Sequence, residues 1–210
     1  MNGVNDLWTS TDQRAWITAS DRYWKFVRPE NKALELSLDK LQLERIASMN
    51  PGTWYNFLET EYFVWKYTAK NRLVTTRQQL RRYLVGSDLE SLDQIRKQLL
   101  AFDASNARLG LSIAMQIRGL GVAGASGLLA LMYAKKFGTV DQFLVKALRQ
   151  VAGLPEAAAL AQMKPERLKL EDGVLLIELL RRKAEELNQL FCVTTWTPRA
   201  LDKILWTYGR

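Results

Sequence analysis

Two segments of this chain carry residue types that could do chemistry. In the first, Ile117-Arg118-Gly119-Leu120-Gly121-Val122-Ala123-Gly124-Ala125 lies between two helical patterns and reads as helix, tight glycine turn, helix. Glycine permits positive φ and close backbone approach, and the helix after the turn starts with backbone N–H groups that have no partner within it. Such a turn can seat a phosphate, because the helix N-terminus adds partial positive charge and no side chain stands in the way. In the second segment, Lys135-Lys136-Phe137-Gly138-Thr139-Val140-Asp141-Gln142-Phe143, a carboxylate stands at the start of an apolar-periodic helix. Residues 104–140 contain Arg108, Arg118, Lys135 and Lys136 but no Asp or Glu. The basic stretch and the helix start both favour an ionised Asp141. Each segment also has a plain structural reading: glycines pack or cap helices, and Asp beside Thr139 is an ordinary helix-start residue.

Composition removes several chemistries. The chain of 210 residues has no histidine and one cysteine, Cys192. Ser-His-Asp and Cys-His catalysis, an imidazole base and a His-ligated zinc are therefore excluded, as are an intrachain disulfide and a four-Cys zinc or iron-sulfur site supplied by this chain alone. Thirty Lys and Arg against 22 Asp and Glu give a net charge of +8, which suits an anionic partner. Residues 62–87 hold Lys66, Lys70, Arg72, Arg77, Arg81 and Arg82 without an acid, interleaved with Tyr62, Phe63, Trp65, Tyr67 and Tyr83. That mixture fits a backbone groove with stacking surfaces, or equally a solvated helix face over core aromatics.

The elements that must position these residues are helical nearly throughout, so an all-α fold is expected. Candidate helices are 11–27, 38–49, 53–69, 75–85, 88–102, 104–117, 125–137, 140–152, 155–163, 172–191 and 197–208, with stops at Pro29, Pro51, Gly86, Gly119, Gly138, Gly153, Pro165 and Pro198. In the helix at 140–152, Val140, Phe143, Leu144, Ala147, Leu148 and Val151 form one apolar face. Thr197 before Pro198 is an N-cap followed by proline at the first helical position. Trp16 and Trp24 are core candidates, Cys192 a partly buried thiol, and Arg181-Arg182-Lys183 a solvated face paired with Glu185 and Glu186. No repeat or low-complexity linker appears, which favours one compact domain, with 53–152 as one possible lobe and 1–52 plus 153–210 as the other.

Together, Gly119-Leu120-Gly121 and the following Val140-Asp141 resemble the helix-hairpin-helix DNA glycosylase superfamily, the endonuclease III and adenine-mismatch glycosylase group. Its Leu-Pro-Gly-Val-Gly hairpin is followed, one helix later, by a Val-Asp-Thr-His motif with the catalytic aspartate. The likeness is specific over about 104–152. It implies that Asp141 stabilises the oxocarbenium-like sugar formed as a base departs, and that the base is first flipped out of the duplex. It also implies backbone contacts to double-stranded DNA from Arg118, Gly119, Gly121, Ala123, Gly124, Lys135 and Lys136, and a base pocket drawn from Trp54, Tyr55, Trp65, Tyr67 and Gln142. No cofactor is expected beyond a K⁺ or Na⁺ on hairpin carbonyls.

This chain departs from the family at several points. Ala123 stands where bifunctional members carry a nucleophilic lysine, Gln142-Phe143 replaces Thr-His, Arg118 replaces the hairpin proline, and the iron-sulfur cysteines are missing. The departures fit a monofunctional enzyme of base-excision repair without lyase activity by that route. They also permit a noncatalytic DNA-binding module on the same scaffold, the alternative reading, and a third possibility is a helical interaction scaffold in which Gly119 and Gly121 only pack helices, with Gly121 buried against another. A monomer without membrane association is expected, in the cytoplasm or at a bacterial nucleoid. The apolar run from Gly119 to Ala134 is too short to span a bilayer, and the start Met-Asn-Gly-Val-Asn-Asp lacks the features of a signal peptide.

Overall fold

Proline begins helices in this chain more often than it stops them. The computed structural model describes residues 3–210, among which every regular element is helical. In chain order these are α1 (Val4–Trp8), α2 (Gln13–Phe26), α3 (Pro29–Asp39), α4 (Leu43–Ala47), α5 (Pro51–Phe57), a π-helical turn (Leu58–Tyr62), α6 (Phe63–Lys66), α7 (Lys70–Val85), α8 (Leu89–Ala101), α9 (Ala107–Ala114), α10 (Val122–Met132), α11 (Gln142–Leu148), α12 (Ala157–Gln162), α13 (Leu170–Phe191) and α14 (Pro198–Gly209). None is long and apolar enough to cross a membrane.

The helix expected at 38–49 is instead the end of α3 and the short α4, because Pro29 takes the first turn of a helix where its missing N–H costs nothing. Pro51 does the same behind the Asn50 cap, whose Oδ1 accepts from the Thr53 N–H at 2.8 Å. Thr197 caps α14 as expected, accepting from the Ala200 N–H at 3.1 Å.

The core is one continuous cluster drawing on every long helix, with Trp16, Trp54, Tyr62, Phe63 and Phe137 among its largest members. α14 packs on α2 and α11, and α9 packs on α13 and α10. Trp24 is only half-buried. Cys192 is exposed, at the left-handed position that ends α13, where φ is 52°, rather than partly buried. Lys183 lies in the core rather than on a solvated face. Its ammonium sits 5.1 Å from the Trp8 ring centre and 5.5 Å from that of Trp16, and its remaining partner is Glu186 at 2.6 Å.

Three arginines hold backbone carbonyls at helix ends and in the connections between helices. Arg96, buried in α8, reaches the carbonyls of Ile46 and Ala47 after pairing with Asp93. Arg149 takes those of Leu160 and Met163, and Arg181 those of Lys136, Ser105 and Ala104. A guanidinium offers several donors in a fixed fork, so one arginine serves two or three such carbonyls.

One buried cluster joins the chain's distant parts. Arg199 of α14 pairs with Glu35 of α3 at 2.8 Å and with Asp202 at 3.0 Å, while its guanidinium stacks 5.1 Å from the Trp65 ring centre. The other Glu35 oxygen accepts from the Trp65 indole N–H. Asp202 also accepts from the Thr139 N–H at 2.5 Å, so α14 holds the segment leading to Asp141. Burial pushes the Asp202 carboxyl up to about 6, outweighing Arg199, the Thr139 N–H and Lys203, which act the other way. Because the folded value lies above the ordinary 3.8, the Asp202 contribution to stability is fully present below that value and is lost as pH rises through about 6. Asp202→Asn is therefore expected to flatten the fall in unfolding free energy across this window, read by urea melts at a series of pH values. A variant with the wild-type slope would show that Asp202 is ionised at no cost in the fold.

Candidate functional site

The turn after α9 is held from below by α7. The Tyr83 hydroxyl donates to the Gln116 carbonyl at 3.2 Å and accepts from the Arg118 N–H at 3.3 Å. The Arg118 guanidinium stacks over the Tyr83 ring at 4.2 Å and pairs with Asp88 at 2.7 Å, so this expected phosphate contact is largely engaged within the fold. Gly119 adopts φ +98°, and a Cβ there would stand 3.0 Å from the Thr76 carbonyl oxygen, so both the conformation and the close approach require glycine. Gly121 differs. Its φ is −96°, it caps α10, and a Cβ placed on it would meet nothing within 4 Å. It is exposed, which is the opposite of the buried glycine that a purely helix-packing turn needs.

No side chain caps α10, and its first N–H groups open beside the exposed Gly119 and Gly121. Asn71, Arg72, Thr75 and Gln79 of α7 line a groove against Gly119. Lys70, Arg72 and Arg82 on this helix are exposed and have no ion pair among the described residues. The Gln116, Ile117 and Gly121 carbonyls of the turn accept from Tyr83, Leu120 and Ala125, and the Arg118 guanidinium lies alongside. No group of three or more acids and cysteines suited to a metal occurs among the described residues.

Asp141 is itself the cap of α11. One carboxylate oxygen accepts from the Phe143 N–H at 3.0 Å and the Leu144 N–H at 3.4 Å. The other lies 3.5 Å from the ammonium of Lys66. The preceding residues are pinned on both sides. The Ser126 hydroxyl of α10 accepts from the Val140 N–H at 3.0 Å, Asp202 holds Thr139, and Gly138 lets the chain pass under the Pro198 carbonyl and Leu180, where a Cβ would not fit.

Lys66 reaches this place by an indirect route. The π-helical turn inserts an extra residue into the helix 51–66 and resets the faces that follow it. Beyond it the Tyr62 hydroxyl donates to the Gly124 carbonyl, and the Lys66 stem lies on Gly127, where a Cβ would stand 3.2 Å from its Cδ. Gly124 and Gly127 thus form a groove in α10. Gly124 is buried beneath Tyr67 and Leu120 and is a packing residue, not the DNA-backbone contact expected.

Asp141 and Lys66 face a cavity of about 280 Å³ between α2, α3, α6 and α14. Its aromatic lining is Tyr23, Phe26, Trp65, Phe143 and Trp206, with Arg28 and Arg210 among its cations. Phe143, expected in the core, is half-buried and packs edge-on to Trp206, with ring centres 5.9 Å apart. Of the aromatics expected in a base pocket only Trp65 is present. Trp54 is fully buried and stacked on Phe57, Tyr55 is buried, and Tyr67 packs over Gly124, where burial pushes its hydroxyl up to about 12. Gln142 is half-buried and is not part of the lining, and Ala123 is half-buried in the first turn of α10. Lys135 and Lys136 line a different groove, with Arg181, Glu178 and Trp196.

Sequence reasoning missed Lys66, Phe143 and Trp206 as neighbours of Asp141. One signal was available: Pro198, Leu201, Asp202 and Leu205 share a helix face, and a carboxylate within an apolar stripe announces a buried partner. Comparison with known protein families, curated proteins and solved structures finds no match for this chain.

The two glycines make a sharp contrast. Gly119→Ala is expected to destabilise the fold by about 2 kcal/mol, from the strained φ and the contact with Thr76. Gly121→Ala should stay within about 1 kcal/mol of wild type. Equal losses in urea melts would contradict the geometry of the turn.

Proposed function

We propose that this protein is a monofunctional DNA N-glycosylase that binds duplex DNA through the glycine turn and releases a flipped, modified base, as in base-excision repair. The observation that carries the reading is a carboxylate, Asp141, held at the edge of an aromatic cavity by two backbone N–H groups and an ammonium. Its position one helix after an exposed glycine turn is the second support.

The chemistry follows from charge. Cleaving the bond between base and deoxyribose builds positive charge on the sugar, and a fixed carboxylate stabilises that state and orients water. The cap bonds and the nearby ammonium fix the direction of the Asp141 carboxylate in advance. Aromatic walls give a planar base two faces to stack on, and about 280 Å³ is near the small end of ligand pockets, roughly 300 Å³, so it suits a base rather than a whole nucleotide. A base in duplex DNA reaches such a cavity only after extrusion. The phosphates would meet the N–H groups of α10 and the exposed Lys70 and Arg72, contacts that carry no sequence information.

One observation favours a second reading, a noncatalytic DNA-binding module: capping α11 is by itself a sufficient structural role for Asp141. Base release from duplexes carrying alkylated, deaminated, oxidised, mismatched and hypermodified bases separates the two. The wild type should release at least one class, and Asp141→Asn, which keeps the shape of the cap, should release it at least about a hundredfold more slowly at equal DNA occupancy. Salt-dependent binding without release of any base would establish the noncatalytic module instead.

A further inference from the structure

Lys66 is the one lysine in the cavity, and the capping role of Asp141 does not require it. Its side chain is 9% exposed, and its only charged partner among the described residues is the Asp141 oxygen at 3.5 Å, a separation too long for a good hydrogen bond. A buried ammonium with spare donors is costly unless something else takes them up. The other charges deep in the cavity are already committed: Glu35 to Arg199 and the Trp65 indole, and Asp202 to Arg199 and the Thr139 N–H. Two glycines and a π-helical turn bring the lysine here, so its place is built into the packing.

Resting on the glycosylase reading, we infer that Lys66 is the proton donor to the departing base, and that the site therefore favours neutral bases with a ring nitrogen or keto oxygen to protonate over permanently cationic alkylated bases. A neutral base leaves poorly because the electron pair of the broken C–N bond stays on it, and an acid that supplies a proton as the bond breaks removes that barrier. The chain has no histidine for the task. A base alkylated to a cation needs no proton and is repelled by an ammonium in the same small cavity.

The step balances within the pair. The bond from the sugar C1′ to the base nitrogen breaks and its electrons go with the base, which takes a proton from Lys66 Nζ. Water adds its oxygen to C1′ and gives a proton to the Asp141 carboxylate. Asp141 then returns that proton to the Lys66 amine, and both groups regain their starting forms.

Release of hypoxanthine and uracil, both neutral, is compared with release of N7-methylguanine, a cation, for wild type, Lys66→Met and Lys66→Arg at equal DNA occupancy. Lys66→Met is expected to lose about a hundredfold in release of the neutral bases and far less in whatever N7-methylguanine release the wild type shows, with a urea melt confirming that the variant is folded. Lys66→Arg fills the same channel and keeps the charge, but a guanidinium does not give up its proton, so it too should lose neutral-base release. A parallel loss of both base classes would overturn the inference and leave Lys66 a residue that only holds Asp141. Full neutral-base release by Lys66→Arg, or borohydride trapping of a covalent link between Lys66 and the sugar, would overturn it as well. Release of no base at all by the wild type would fall on the glycosylase reading, and on this inference with it.

Discussion

The buried guanidinium of Arg199 is the constraint on which the cavity depends. A charge taken out of water must be matched where it lies, and here the matching groups come from α3 and α14. Because Asp202 also holds the Thr139 N–H, satisfying this one cation fixes the segment that delivers Asp141. The indole of Trp65 is drawn in by the same cluster, through Glu35 and the face of its ring. Breaking such a cluster by removing one partner costs about 3–5 kcal/mol, because the remaining charges stay buried. The aromatic wall, the carboxylate and the inner charges are therefore a single mechanical unit.

A second unit lies on the other side of α10. Its small residues, Gly124, Ser126 and Gly127, let the helix 51–66 lie close enough for Tyr62 and Lys66 to touch the α10 backbone, and let the Val140 N–H find a hydroxyl. α10 thus serves both features: its N-terminus opens at the glycine turn, while its flank sets the spacing between Lys66 and Asp141. This coupling is physical contact along one helix, with no moving part required.

The helical class, the glycine turn, the Thr197 cap and the helix start at Asp141 were legible because each depends on local chemistry: periodicity, capping and the freedom of glycine. What was not legible depends on contacts between distant residues. Trp54 and Trp65 look alike in a list of aromatics, yet the π-helical turn between them sends one into the core and the other to the cavity. No propensity marks that turn. Lys183 and Arg181 read as surface charge because their partners, Trp8, Trp16 and the carbonyls of Ala104 and Ser105, lie far away in the chain. Net charge likewise overstates the surface available to an anion, since several arginines are occupied with helix ends.

The cavity wall draws Tyr23 and Phe26 from α2 and Trp206 and Arg210 from the far end of the described chain, while Asp141 comes from between them. A chain emerging from the ribosome therefore has its acid and its lysine long before it has a pocket. Contacts of such large sequence separation form late, because the loops they close are long. Until α14 docks, the Arg199 position is empty, Glu35 and the Trp65 indole lack their cation, and the segment before Asp141 has lost one of its two anchors. The site is thus a report on completed folding: partly folded chains present the glycine turn without the cavity that would make use of it.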